Sequence, residues 1–241
     1  MQNKSTTLFY VLGSFFLANA LLAEFIGVKI FSLEHSLGIE QFHINIFGIE
    51  NLSFNLTAGV LLWPLVFVMT DIINEYFGKK GVQWMSFVAI ILILYAYVII
   101  YVAMNLHGAE FWMYRSTPSG MLDMNNAFNT IFGQGMWIIV GSVVAFLVSQ
   151  FVDVSVFRYI RNITGSKKIW LRATGSTLVS QFIDSFVVLF IAFYLGAGWS
   201  FNLVLAIGIV NYIYKFLVAI LLTPVLYIAH WFINSYLEIK K

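Results

Sequence analysis

The sequence predicts an all-α fold: a polytopic membrane protein of six transmembrane helices with both termini cytoplasmic. Three observations carry that expectation. Hydrophobic residues make up 61% of the 241 and charged residues 10%, against about 45–50% and about 25% in an ordinary globular chain. That is too little charge to cover a water-soluble surface. Six stretches reach the roughly 20 mostly apolar residues that a spanning helix needs. The basic residues gather in alternate connections, as the positive-inside rule requires for an even number of crossings with an internal N-terminus. The same figures exclude other classes. So apolar a chain is not disordered. A formal net charge of +2 is not that of a nucleic-acid binder held by a basic surface. With no Cys, disulfide scaffolds, thiolate metal sites and thiol nucleophiles are out.

The six stretches run Leu8–Phe31, Phe54–Phe77, Val82–Met104, Met136–Phe157, Ala173–Leu195 and Phe201–Ile228. The first is too long for the apolar region of a cleaved signal peptide, and it carries Asn19, Glu24 and Lys29 with no cleavage site. Lys79 and Lys80 follow the second. Arg158, Arg161, Lys167, Lys168 and Arg172 lie between the fourth and fifth, and Lys4, Lys240 and Lys241 mark the ends. The opposite loops are acidic, with Glu34, Glu40, Glu50, Glu110 and Asp123 against Arg115 alone. The loop from Asn105 to Gly135 holds a turn signal, Pro118-Ser119-Gly120. Its second half, Met121–Phe132, reads either as a short interfacial helix or as plain loop. Trp112, Trp137, Trp170, Trp199 and Trp231 fall near span ends, as an aromatic belt does. Residues 1–241 read as a single transmembrane domain, which places the chain as a multi-pass protein in the bilayer.

One repeat is visible. Leu147-Val148-Ser149-Gln150-Phe151-Val152-Asp153 recurs as Leu178-Val179-Ser180-Gln181-Phe182-Ile183-Asp184, with one conservative change. The two copies lie on helices expected to run in opposite directions, and inverted repeats are a transporter design with the site at their interface. Chance or local duplication is the other explanation. Asp153 is closer to the basic boundary than Asp184, so strict two-fold symmetry is not expected.

Ionisable side chains inside spans cost about 2.5–3.5 kcal/mol each on insertion scales and persist when they pair or when they work. This chain has Glu24, Lys29, Asp71, Glu75, Asp153, Asp184 and Lys215. Asp71 and Glu75 are four apart and share a helix face. Glu75 is open between interfacial pairing with Lys79 or Lys80 and a place in a site. Asp71 is open between partnering a buried cation and binding a ligand. Pro64, in mid-span, predicts a kink. Gln181 and Asp184 share a face, as do Asn211 and Lys215. Lys215 is too deep to reach either surface and needs a carboxylate, with Asp184, Asp71 and Asp153 as candidates. Lys29 reaches the nearby surface along its stem. Arg172 is open between an anchor at the boundary and a ligand contact, and Ser176 and Thr177 read as packing glue.

Enzyme motifs are missing: there is no H-E-x-x-H, G-x-S-x-G, P-loop or G-x-G-x-x-G. His35, His43, His107 and His230 show no metal-ligand spacing. Ser176 with His230 as a hydrolase pair has nothing behind it but residue type. No cofactor and no metal are expected.

The residues assembled in order resemble those of one family, the queuosine precursor transporters, also called the vitamin uptake transporter family. The pieces are Asn19; Pro64 with Asp71-Ile72-Ile73-Asn74-Glu75-Tyr76-Phe77-Gly78-Lys79-Lys80; Ala127-Phe128-Asn129 and Ile131-Phe132-Gly133; and Ser149-Gln150-Phe151-Val152-Asp153. They continue with Trp170-Leu171-Arg172, Ser176, Ser180-Gln181-Phe182-Ile183-Asp184, Lys215 and Thr223-Pro224. The family's D-x-x-x-E-x-Y-G stretch has Tyr where Phe77 stands here, and Glu24 has no family role to inherit. The resemblance implies import of a 7-deazaguanine (the 7-cyano or 7-aminomethyl base, or queuine) across the bacterial inner membrane. It implies a substrate site drawn from Asn19, Asp71, Glu75, Gln150, Asp153, Arg172, Gln181, Asp184 and Lys215, to which the spacing in the sixth stretch adds Asn211. The expected partners are that small molecule and the lipid bilayer, without nucleic acid; a homodimer stays open. The chemistry agrees with the inventory. A carboxylate accepts the ring N–H and exocyclic amine of a guanine-like edge, and an amide or Lys215 donates to its carbonyl. Phe151 and Phe182 are open between stacking on the base and plain packing. Two alternatives remain: the substrate-binding subunit of a multi-component vitamin importer, and a scaffold whose buried charges only pair.

Overall fold

A computed structural model of the protein describes residues 4–118, 120–133, 136–165, 168–196 and 198–238. Ser119, Lys167, Lys240, Lys241 and the side chain of Trp137 lie outside what is described. Among the described residues, five helical pieces are long and apolar enough to cross a membrane: Lys4–Ile26, Trp63–Met104, Val140–Thr164, Ile169–Leu195 and Phe201–Leu237.

The helices are α1 (Lys4–Ile26), α2 (Leu33–Leu37), α3 (Trp63–Met104), α4 (Glu110–Met113), α5 (Met124–Phe132), α6 (Met136–Thr164), α7 (Ile169–Leu189) and α8 (Phe201–Leu237). The 42 residues of α3 make about 63 Å at 1.5 Å each, twice the thickness of a hydrocarbon core. The helix breaks inside: Gly78 has φ 70° and ψ −174°, a conformation that costs glycine little. Lys79 and Lys80 follow the break directly. α7 runs on into a π-helical stretch, Phe190–Leu195. There Gly141 of α6 lets the backbones close up: a Cβ on it would stand 3.2 Å from Val188 O and 3.2 Å from Ala192 N. Ser200 caps α8 by accepting from Leu203 N at 3.3 Å, and Asp123 caps α5 by accepting from Asn126 N at 2.9 Å.

The connections carry six short strands: β1 (Ile30–Ser32), β2 (Ile44–Ile46), β3 (Ile49–Leu52), β4 (Asn55–Thr57), β5 (Tyr114–Thr117) and β6 (Gly120–Asp123). They form three antiparallel pairs, β1–β4, β2–β3 and β5–β6, with Phe31 opposite Leu56 and Arg115 opposite Leu122. Glu34 fastens the first pair: it accepts from Phe54 N at 2.8 Å and from Ser32 Oγ at 3.2 Å. Burial pushes that carboxyl up, but these donors outweigh it and hold it below its ordinary value.

Three sequence expectations are corrected here. Pro64 does not kink a span, because it stands in the first turn of α3, where its missing N–H has no partner to lose. The apolar run before it, Phe54 to Leu61, is β4 and a 3₁₀ turn (Ala58–Leu61) rather than spanning helix. The interfacial segment 121–132 is split: residues up to Asp123 are strand, and the helix is Met124–Phe132.

The core lies where α1, α3, α6, α7 and α8 meet. α6 packs along α7, α1 along α3 and α7 along α8. Phe16, Val66, Phe146 and Phe157 are buried there, with the Trp63 ring 5.4 Å from that of Phe146. Outward faces carry Phe87, Tyr95, Phe151 and Leu221 fully or half exposed, the reverse of a soluble protein and the norm for helices in lipid.

Candidate functional site

Polar side chains collect between α3, α6, α7 and α8. Asp71 points from α3 at α7, where Ser176 Oγ lies 3.4 Å from Oδ1 and Thr177 Oγ1 lies 3.2 Å from Oδ2. Asp153 points from α6 at the same helix and accepts from Ser180 Oγ at 3.1 Å; its Oδ2 has no hydrogen-bond partner. Ser176 and Ser180 also reach backbone carbonyls three residues back, each at 3.1 Å. Neither carboxylate has a Lys, Arg or His within ion-pair distance among the described residues. Asp184 differs. It faces α8 and pairs with Lys215 Nζ at 2.5 Å. Of the three candidate partners for the buried Lys, the fold selects the one on the adjacent helix.

Between these groups lies a cavity of about 20 Å³, lined by Asp71, Thr174, Thr177, Gln181, Lys215 and Thr223 among others. That is room for a water molecule. Gln181 is 1% exposed, and neither end of its amide has a partner among the described residues. Leaving a buried polar group unpaired costs about 1–3 kcal/mol, so the two orphaned atoms of this side chain are open to a partner in the cavity. Thr174 and Thr223 meet across the same cavity at 2.9 Å.

Near the break of α3 at Gly78, Glu75 accepts from Arg172 at 2.7 Å and lies 3.6 Å from Arg161. This replaces the expected pairing with Lys79 or Lys80, because Arg172 enters the bundle and is 1% exposed. Arg172 also donates to Gly165 O at 3.0 Å, and its guanidinium lies 5.7 Å from the Phe157 ring centre. Beside it, Tyr76 OH meets His230 Nδ1 and Asn234 Oδ1, each at 2.8 Å. His230 therefore serves Tyr76, not Ser176.

The structure thus joins Asp71, Gln181 and Lys215 around one cavity, with Asp184 held to it through Lys215 and Asp153 one turn away along α7. Glu75 and Arg172 form a separate pair. Gln150 faces α3 rather than this cavity, its Oε1 taken by Thr70 at 3.2 Å and Ser86 at 3.4 Å. Asn19 turns its amide back to Phe15 O on its own helix at 2.8 Å. Asn211 keeps an unpartnered Oδ1 outside the cavity lining. Among the described residues, no group of three His, Asp or Glu is placed to hold a metal ion.

A family model described as "Putative vitamin uptake transporter" matches residues 57–229, a span that holds every predicted site residue except Asn19. The chain belongs to the vitamin uptake transporter family. It is a multi-pass membrane protein of a transporter family, not of an enzyme family. It is 31% identical over 189 residues to a Bacillus subtilis protein named "Probable queuosine precursor transporter", covering 75% of this chain and 74% of the relative. It is 29% identical over 176 residues to the Escherichia coli "Queuosine precursor transporter", covering 70% of each. A Haemophilus influenzae protein named "Probable queuosine precursor transporter" is 27% identical over 179 residues, covering 72% of this chain and 67% of the relative. No solved structure matches the chain.

Three polar features are not foreseen from the sequence. Asn74 is buried with an unpartnered Nδ2; its place between Asp71 and Glu75 was the only signal. Tyr76 and His230 are 154 residues apart, and no local pattern links them. Glu24 of α1 accepts from Ser142 of α6 and from Tyr97 OH at 3.4 Å, which gives the acid without an inherited role a structural one.

Proposed function

We propose that this protein imports a 7-deazaguanine, a queuosine precursor, by alternating access across the bacterial inner membrane. It works as one transmembrane domain of six crossings with both ends in the cytoplasm. The relatives' names support the substrate class. The topology is supported by the break at Gly78, which divides a helix twice as long as a bilayer is thick, and by the ion pair of Lys4 with Glu238. That pair joins the first turn of α1 to the end of α8, which agrees with an even number of crossings.

The observation that carries the site is the buried, unpartnered amide of Gln181 between Asp71 and Lys215. In this reading the Asp71 carboxylate accepts the ring N–H and exocyclic amine of the base. Gln181 gives one donor and one acceptor in the same plane, and Lys215 donates to the ring carbonyl while Asp184 neutralises it. Asp153 and Asn211 lie beyond this first set of contacts. Arg172 and Glu75 close the lysine-rich end rather than touch substrate. A cavity of about 20 Å³ does not admit a purine-sized ring, so the structure corresponds to a closed conformation. Entry requires α7 and α8 to part on one side, as alternating access provides. Uptake of labelled base by vesicles carrying Asp71→Asn or Asp184→Asn tests the assignment. Loss of uptake in either variant is expected; full uptake in both rejects the site.

A further inference from the structure

A second, larger cavity opens on the outside of the bundle, between the part of α3 after Gly78 and α6. Its volume is about 240 Å³. Lys79 stands at its lysine-rich end, Ser86 and Gln150 at its middle, and Phe87, Leu147 and Phe151 form its walls. The walls face outward: Phe87 is 56% exposed and Phe151 63%. The floor is polar and shut off: Gln150 is 4% exposed. Thr70 and Ser86 hold its Oε1, which leaves the Nε2 donor without a partner. Lys79 Nζ sits 5.6 Å from the centre of the Phe151 ring, at the mouth.

We propose that this groove is a binding site for one bilayer phospholipid with an anionic headgroup. The order of groups along it matches such a molecule from head to tail. The headgroup meets Lys79. Deeper, beside Ser86, a glycerol ester carbonyl accepts from Gln150 Nε2. The acyl chain then runs along Phe87 and Leu147 into the hydrocarbon. Basic pockets between helices on the lysine-rich side are where anionic lipids bind, and in lipid an orphaned amide donor is costlier than in water. A deazaguanine fits less well, because no carboxylate lines the groove to accept its ring N–H and amine pair. Lipid here wedges the two helices that bear Asp71 and Asp153 and so has a route to the transport cycle.

Native mass spectrometry of the detergent-purified protein, titrated with phosphatidylglycerol or phosphatidylcholine and with no base present, tests this. One phosphatidylglycerol should be retained in preference to phosphatidylcholine. Lys79→Gln should weaken phosphatidylglycerol alone, by roughly fivefold for one cationic contact. Gln150→Leu should weaken both lipids alike, again roughly fivefold, because the ester carbonyl is common to them. Leu147→Trp fills the exposed end of the groove and should displace either lipid, which keeps the test open if Gln150→Leu does not fold. Equal retention in wild type and all three variants overturns the proposal. So does a labelled deazaguanine competing with the lipid for the groove. Because lipid retention is read without base, this outcome is separate from that of the uptake assay.

Discussion

The two copies of the seven-residue repeat make the most informative comparison in the molecule. Each supplies a Gln and an Asp three residues apart, one pair on α6 and one on α7. On α7, Asp184 is neutralised by Lys215 and Gln181 is left open to a cavity. On α6 the roles are exchanged. Gln150 is partly satisfied by hydroxyls, while Asp153 is fully buried against the serine hydroxyls of α7 and, among the described residues, has no cation within ion-pair distance. Identical residues therefore do different work because of what the neighbouring helix offers. α8 brings a Lys to one copy, and α7 brings serine hydroxyls to the other. A buried charge is tolerated in either way, but the consequences of removing its partner differ.

That difference is largest at Lys215. Lys215→Met leaves Asp184 uncompensated, and breaking such a pair costs about 3–5 kcal/mol. A steep drop in the thermal unfolding midpoint in detergent is expected, and adding Asp184→Leu to the variant should restore most of it. If Lys215→Met alone unfolds at the wild-type temperature, the contrast between the copies collapses. Asp153→Asn sharpens the other side. It keeps an acceptor for Ser180 and breaks no ion pair, so stability should stay within about 1 kcal/mol of wild type. A loss as large as that of Lys215→Met would mean that an unseen cation holds Asp153.

The smallest effect lies outside the spans, at Glu34. Its carboxyl is held below the ordinary 4.5. The ionised form therefore stabilises the β1–β4 connection, fully above that ordinary value and less as pH falls through the lowered one. The protection of the Phe54 amide, its exchange relative to the intrinsic rate at the same pH, should be high at pH 6 and fall once the pH is taken below the lowered value, and in Glu34→Gln it should be low throughout. Unchanged protection in the variant would remove Glu34 as the fastener.

Long apolar runs made the helices readable from sequence, because spanning lipid demands a period-free stretch of about 20 apolar residues. The break at Gly78 was readable too, since Lys79 and Lys80 end one apolar run before Val82 begins the next. Phe54–Leu61 misled for the same reason: apolarity alone does not separate a strand and a 3₁₀ turn from a helix end. The buried acids and Lys215 stood out by their expense. Their partners did not, because pairing Lys215 with Asp184 rather than Asp71 or Asp153 is set by which helix lies next to α8. In sequence Arg172 is open between a boundary anchor and a ligand contact, and only the packing that buries the start of α7 carries it to Glu75.

The most direct test of the central claim is base binding to Gln181→Leu. No protein hydrogen bond is lost in this variant, so its unfolding temperature without ligand should stay near that of wild type. Wild type should be stabilised by a deazaguanine in proportion to occupancy. Losing two hydrogen bonds to the base should weaken binding in Gln181→Leu roughly thirtyfold, at about 1 kcal/mol each. Equal stabilisation of both proteins by the base would contradict the account.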